Sequence, residues 1–251
     1  MNGDPIRDEA LQANYARVLA RIDEACRRSG RPAGSVRLVA VSKTFGAERV
    51  LALAGLGQRA FGENYVQEAL GKMALCRERR PDLSWHFIGP IQSNKTRQIA
   101  EQFDWVHSVE REKVAVRLGE QRPARLGPLD CCIQVNVSGE ASKSGCAPEA
   151  ALALARAIVA HPRLRLRGLM AIPEPGMGEA VLRGRFATLR RMLEEIREAL
   201  SSDWPTAARA LDALSMGMSA DLEVAIDEGA TLVRVGSALF GSRPAAVARD
   251  R

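Results

Sequence analysis

The feature that most constrains this chain is an alternation. Eight short apolar runs rich in β-branched residues are separated by longer stretches with the spacing of amphipathic helices. The runs cover 36–42, 59–62, 84–88, 105–108, 129–137, 166–172, 210–216 and 231–235. Helical spacing covers 47–56, 66–78, 94–101, 113–120, 148–160, 178–200 and 220–228 between them. A strand, a crossover helix and a second strand run in the same direction, so the pattern predicts parallel strands with helices outside. An open doubly wound sheet is the rival arrangement, and eight strands in succession favour closure. The expected fold is α/β, a single (β/α)8 TIM barrel, and 251 residues suit the ~250 such a barrel needs. One more helix over 5–29 precedes the first strand, with Pro5 near its start and Gly30 just past its end. It is expected on the outside or plugging the barrel bottom. Segments 121–128, 173–178 and 203–206 carry proline or glycine and read as loops inside one domain spanning 1–251.

Several function classes are disfavoured by composition. No apolar run approaches the ~20 residues that cross a bilayer, and the first residues lack a basic region followed by an apolar one. No membrane partner and a cytoplasmic location are therefore expected. Five cysteines, an odd number with no C-x-x-C pair, argue for reduced thiols over a disulfide framework or zinc site, and Cys131 and Cys132 read as core. Three histidines without ligand spacing give no metal. The net charge of +6 invites a nucleic-acid reading, but arginines such as Arg77, Arg79, Arg183 and Arg190 interleave with glutamates as on a solvated face. Only 4% of residues are aromatic and available to stack on bases, so no nucleic-acid partner is expected.

Active sites in such barrels form at the carboxyl ends of the strands, which singles out the polar residues there. Lys43 directly follows the first apolar run; partial desolvation there disfavours its ammonium and leaves an amine able to attack an aldehyde. The bland alternative is a strand-end lysine reaching solvent. After the seventh run, Ser215, Gly217 and Ser219 precede Asp221 at a helix start, and after the eighth, Gly236 and Ser237 open a short helical stretch. Phosphates commonly bind at these two loops, although Ser219 or Asp221 as a cap and Gly236 as a turn residue would look the same. Arg234 sits between Val233 and Val235, so alternation turns it inward. It either pairs with an inward carboxylate or donates to a ligand ring nitrogen. Asn64 either hydrogen-bonds a ligand oxygen or caps the next helix. His86 and His107 are equally readable as structural or as site residues, and His161 reads as a loop residue.

The motifs A-V-S-K-T (40–44), F-G-E-N-Y-V-Q-E (61–68), W-H-F-I-G-P-I-Q-S-N-K (85–95) and G-L-M-A-I-P (168–173) occur in order along the chain. They are followed by L-S-M-G-M-S-A-D-L-E-V-A-I-D-E-G-A-T-L-V-R-V-G-S-A-L-F-G (214–241). Together they resemble the YggS/PROSC family of pyridoxal 5'-phosphate (PLP) binding proteins, also called PLP homeostasis proteins, over almost the whole chain. The resemblance implies a barrel like the alanine racemase N-terminal domain and PLP held as a Schiff base on Lys43. It implies phosphate contacts at Ser215, Ser219, Gly236 and Ser237, Arg234 near the pyridine nitrogen, and Asn64 and Met216 lining the site. The implied role is in vitamin B6 homeostasis, carrying PLP for PLP-dependent apo-enzymes without catalysis of its own; a monomer is expected. The alternative is a PLP-dependent amino-acid racemase. Barrel racemases take a second base, a tyrosine, from another domain, and the tyrosines here are Tyr15 and Tyr65.

Overall fold

A computed structural model describes residues 8–139, 144–174 and 176–241. Its eight strands are β1 (Arg37–Val41), β2 (Ala60–Glu63), β3 (Ser84–Phe87), β4 (Trp105–Val109), β5 (Leu129–Gln134), β6 (Leu164–Met170), β7 (Ala213–Ser215) and β8 (Leu232–Val235). They are parallel and hydrogen-bond in chain order into a closed barrel. Closure is made by β8 against β1, with Val39 opposite Arg234 and Ala40 opposite Val235. The open-sheet rival is excluded.

Among the described residues ten α-helices lie before, between and after the strands, two of them between β6 and β7: α1 (Glu9–Arg28), α2 (Ala47–Gly55), α3 (Val66–Arg79), α4 (Thr96–Gln102), α5 (Glu112–Gln121), α6 (Ala151–Val159), α7 (Glu179–Leu200), α8 (Pro205–Ala210), α9 (Leu222–Asp227) and α10 (Ser237–Phe240). Their buried stripes pack on the outer face of the strands in one continuous core, with Phe61, Trp85, Phe87, Phe103 and Phe186 as its largest members. A smaller cluster of Val39, Ala60, Trp105, Cys132, Met170, Ala213 and Leu232 fills the barrel axis, the inward set of the period-2 alternation. The five cysteines are free and buried, and no helix among the described residues is long and apolar enough to cross a membrane.

Three boundaries differ from the sequence expectations for physical reasons. Segment 203–206 is not all loop. Pro205 occupies the first turn of α8, where its missing N–H costs nothing, and this shortens β7 to three residues. The strand expected from 166 begins at Leu164, because Arg165 and Arg167 on β6 pair with Asp130 of β5, so these charged residues extend the strand instead of ending it. The strand expected to reach 137 ends at Gln134; beyond it the Val135 N–H donates to Met170 O of β6 at 2.9 Å, and Val135 makes an isolated bridge to Cys146.

Helix α1 runs on the outside across α9, α10 and α2, at the seam where β8 meets β1, and does not plug the barrel. Asp8 caps it, accepting from the Leu11 N–H at 2.9 Å, and Leu11, Val18, Ile22, Ala25 and Cys26 form its buried stripe. Gly30 follows with φ 65°, as the end signal requires, while Pro5 lies outside the described residues.

Candidate functional site at the carboxyl end of the barrel

A cavity of about 500 Å³ opens at the carboxyl ends of the strands, within the ~300–1,000 Å³ range of small-molecule pockets. Lys43, Asn64, Ser219, Arg234, Gly236 and Ser237 all line it, on an apolar wall of Val41, Phe45, Ile88, Ile172 and Met218. Six residues from four separate parts of the sequence thus line one cavity. Ser215 and Met216 are not among them. Both are buried with no exposed surface, and neither reaches the cavity. Ser215 Oγ is taken up by Arg234 and His107 instead. Gly217 has φ 93°, which a side chain would strain, and a Cβ there would lie 2.6 Å from the Cβ of Ala225.

Lys43 stands at the second position of a turn closed by the Phe45 N–H donating to Ser42 O at 3.1 Å. The next residue, Thr44, has φ 70°, the one left-handed non-glycine among the described residues, and a β-branched side chain makes that conformation costly. A buried polar cluster holds it. Glu68 Oε1 accepts from the Thr44 N–H at 2.6 Å, and Lys72 Nζ donates to Ser42 O at 2.7 Å, Glu63 Oε1 at 2.7 Å and Glu68 Oε1 at 3.1 Å. The Ser42 hydroxyl donates to the same Glu63 oxygen at 2.5 Å. Burial raises the Glu63 pKa, opposed by the adjacent Lys72 cation. Sequence reasoning missed this cluster. Its only signal was the i,i+4 pair of Glu68 and Lys72, which reads like any solvated helix pair.

Arg234 is 4% exposed and donates to Ser215 Oγ at 2.8 Å and Ala171 O at 3.0 Å, both neutral acceptors. Among the described residues no carboxylate forms an ion pair with it, so the inward-carboxylate reading does not hold. Desolvation pushes its pKa down to about 10, with Asp221 opposing at longer range. A buried guanidinium without a counter-charge is an unstable element unless something at the cavity supplies acceptors.

Behind Arg234 runs a hydrogen-bonded chain down the barrel axis. Ser215 Oγ meets His107 Nδ1 at 2.7 Å, His107 Nε2 meets His86 Nδ1 at 2.8 Å, and His86 Nε2 meets Ser84 Oγ at 3.3 Å. Burial holds both imidazoles neutral: His86 is lowered to about 3 and His107 well below its ordinary value. Because guanidinium only donates, Ser215 accepts from Arg234 and has its own hydrogen left for His107 Nδ1. His107 then donates to His86, and His86 to Ser84. In the reverse order the Ser215 hydrogen would have no acceptor. The two histidines are therefore structural, but structural toward Arg234. His161 lies apart, its ring packed 3.1 Å from where a Cβ on Gly119 would stand.

Asn64 does not cap α3: the N-cap is Tyr65, with no side-chain bond, and Asn64 Oδ1 is buried with no partner. Its backbone is pressed on Gly89, where a Cβ would sit 2.2 Å from Asn64 O. A polar atom fixed in place and left unsatisfied on a cavity wall fits a ligand that completes it. Ser219 Oγ accepts from Ser237 Oγ at 3.1 Å and from the Ala238 N–H at 3.3 Å, so the two loops meet at their hydroxyls. The Asp221 carboxylate accepts from the Met218 N–H and shapes the first of these loops.

The family model for the N-terminal domain of alanine racemase matches residues 6–244. The pyridoxal phosphate homeostasis protein of Pseudomonas aeruginosa is 58% identical over 233 residues, covering 93% of this chain and 96% of that one. The chain belongs to the pyridoxal phosphate homeostasis protein family. Its namesake of Escherichia coli is 46% identical, covering 92% and 95% of the two chains. The structure of PipY, the COG0325 family member of Synechococcus elongatus, with PLP bound superimposes with TM-score 0.74 at 37% identity, covering 88% of this chain and all of PipY. Alanine racemase from Corynebacterium glutamicum shares the fold at TM-score 0.66 and 16% identity, this chain covering 62% of its length. Membership of the homeostasis family thus comes with the racemase barrel and not with the racemase's full length.

Proposed function

We propose that this chain binds PLP in the carboxyl-end cavity and serves intracellular PLP and vitamin B6 homeostasis, as a carrier more than as an enzyme. The observation that carries the reading is one cavity lined together by the strand-end Lys43, the side-chain amide of Asn64 and the Arg234 guanidinium, which has no carboxylate partner among the described residues. When bound, PLP supplies an aldehyde, a ring nitrogen, a ring oxygen and a phosphate. Lys43 Nζ links to the aldehyde carbon as a Schiff base, forming C=N and releasing one water. Arg234 donates toward the ring nitrogen, and a group that cannot give up its proton keeps that nitrogen unprotonated. Ser219, Ser237 and the backbone at Gly236 hold the phosphate, and the Asn64 side-chain amide, turned so that its NH2 faces the cavity, donates to the ring oxygen. Ser215 acts through Arg234.

An unprotonated ring nitrogen makes a poor electron sink, which supports holding the cofactor over carbanion chemistry. The disposition of the tyrosines supports the same reading. Tyr15 bonds Gln58 at 3.4 Å, Tyr65 lines a separate 250 Å³ cavity, and among the described residues no tyrosine lines the larger one. The chain is proposed to work as a monomer in the cytoplasm and to release PLP to PLP-dependent apo-enzymes. The test is to mix the PLP-loaded chain with an apo-transaminase, and separately with D- or L-alanine. Recovery of transaminase activity without racemisation is expected; interconversion of the alanines would replace the carrier with the racemase.

A further inference from the structure

The helix that precedes the barrel does more than cover it. Two residues seven apart on α1, hence on one face two turns along, reach the two loops that meet at the cavity. Arg21 NH2 donates to the backbone carbonyl of Ser219 at 2.9 Å, while its Nε and NH2 grip Glu223 of α9 at 2.6 and 2.9 Å. Asn14 Nδ2 donates to Leu239 O of α10 at 3.0 Å. Ser219 in turn receives Ser237 Oγ and the Ala238 N–H on its hydroxyl. The carbonyl end of Ser219 is thereby tied to α1 and its hydroxyl end to α10. Both sides of the junction hang on one outside helix.

We infer that Arg21 is a positioning residue for phosphate recognition: it fixes Ser219 so that the hydroxyls of Ser219 and Ser237 face a phosphate monoester, with Asn14 fixing α10. The inference rests on the PLP reading above. Glu223 neutralises Arg21, whose contribution is geometric and not a long-range attraction for anions. Removing it leaves the cavity's lysine, arginine and asparagine untouched. The loss should fall on the phosphate and spare the ring.

The experiment measures dissociation constants of the full chain for PLP and for pyridoxal, which lacks the phosphate, in wild type, Arg21→Met and Arg28→Met. Arg28 is the control because it too bridges α1 to α9, through Asp227 at 3.0 Å, without touching Ser219. Arg21→Met is expected to weaken PLP about tenfold, ~1.4 kcal/mol, and to leave pyridoxal within about twofold. Arg28→Met should leave both unchanged. Should Arg21→Met lose its fold, Arg21→Lys, which keeps the cation beside Glu223 without the forked donors, carries the same comparison. Equal weakening of both ligands, or of neither, overturns the inference. A wild type that binds PLP and pyridoxal equally well overturns the phosphate assignment beneath it, and one that binds neither overturns the function itself.

Discussion

Arg234 and the histidines behind it connect a buried charge to a pH response. His86 and His107 are neutral when folded and accept protons when unfolded near 6.5, so the unfolded chain binds more protons below that pH. Folded stability contributed by the pair is present above about 6.5 and is lost as pH falls toward the depressed folded values, about 3 for His86. Each histidine adds a slope of ~1.4 kcal/mol per pH unit over that window. Urea unfolding at pH 6 and pH 5 should show a shallower pH dependence for His107→Leu than for wild type by about that amount. An unchanged slope would mean His107 is charged in the fold. The buried cluster under Lys43 gives a second residue-scale expectation. Lys72→Met leaves Glu63 buried without its cation and should cost ~3–5 kcal/mol in the same assay, and adding Glu63→Gln should recover most of it. Neither network was readable beforehand. A histidine in an apolar run and a lysine on a helix carry the same letters whether they face solvent, a core or one another.

At the scale of elements, the turns after β1 and β3 do the placing. Thr44 holds its left-handed conformation only because Glu68 and Lys72 tie down the turn beside Lys43. Thr44→Gly should relieve that strain and raise stability by ~0.5–1 kcal/mol after the added chain entropy of glycine is offset. Chemical denaturation checks it, and a loss of stability would show that the threonine side chain contributes more than its strain costs. Gly89→Ala should push Asn64 off the wall, because the added methyl has no room beside Asn64 O. A thermal shift downward with weakened PLP binding is expected, and unchanged binding would remove Asn64 from the site. The elements themselves were legible where period and punctuation agreed: β1, α2, β2 and α3 fall within a residue or two of their expected bounds. They were illegible where charge sat on a strand, as at Arg165 and Arg167, or where proline began a helix, as at Pro205. For the two arginines a partner distant in sequence, Asp130, decided the outcome.

For the whole molecule, eight repeats of strand and helix leave little choice but closure, and closure brings the ends of β1, β2, β7 and β8 around one opening. That is why Lys43, Asn64, Ser219, Arg234, Gly236 and Ser237 were legible as neighbours from the sequence. Ser215 and Met216 share the motif but do not line the cavity. Ser215 ends β7 and Met216 follows it, both ahead of the Gly217 turn. The helix α1, which the periodicity located but could not dock, proves to tie the seam of the barrel to the two loops beside it. The most direct test of the central claim is to load the protein with PLP, reduce it with borohydride, and map the modified peptide by mass spectrometry, wild type against Lys43→Ala. A pyridoxyl adduct on Lys43, absent from the variant, is the expected result. Reduction that leaves Lys43 unmodified, or equal labelling of both proteins at other lysines, would contradict it.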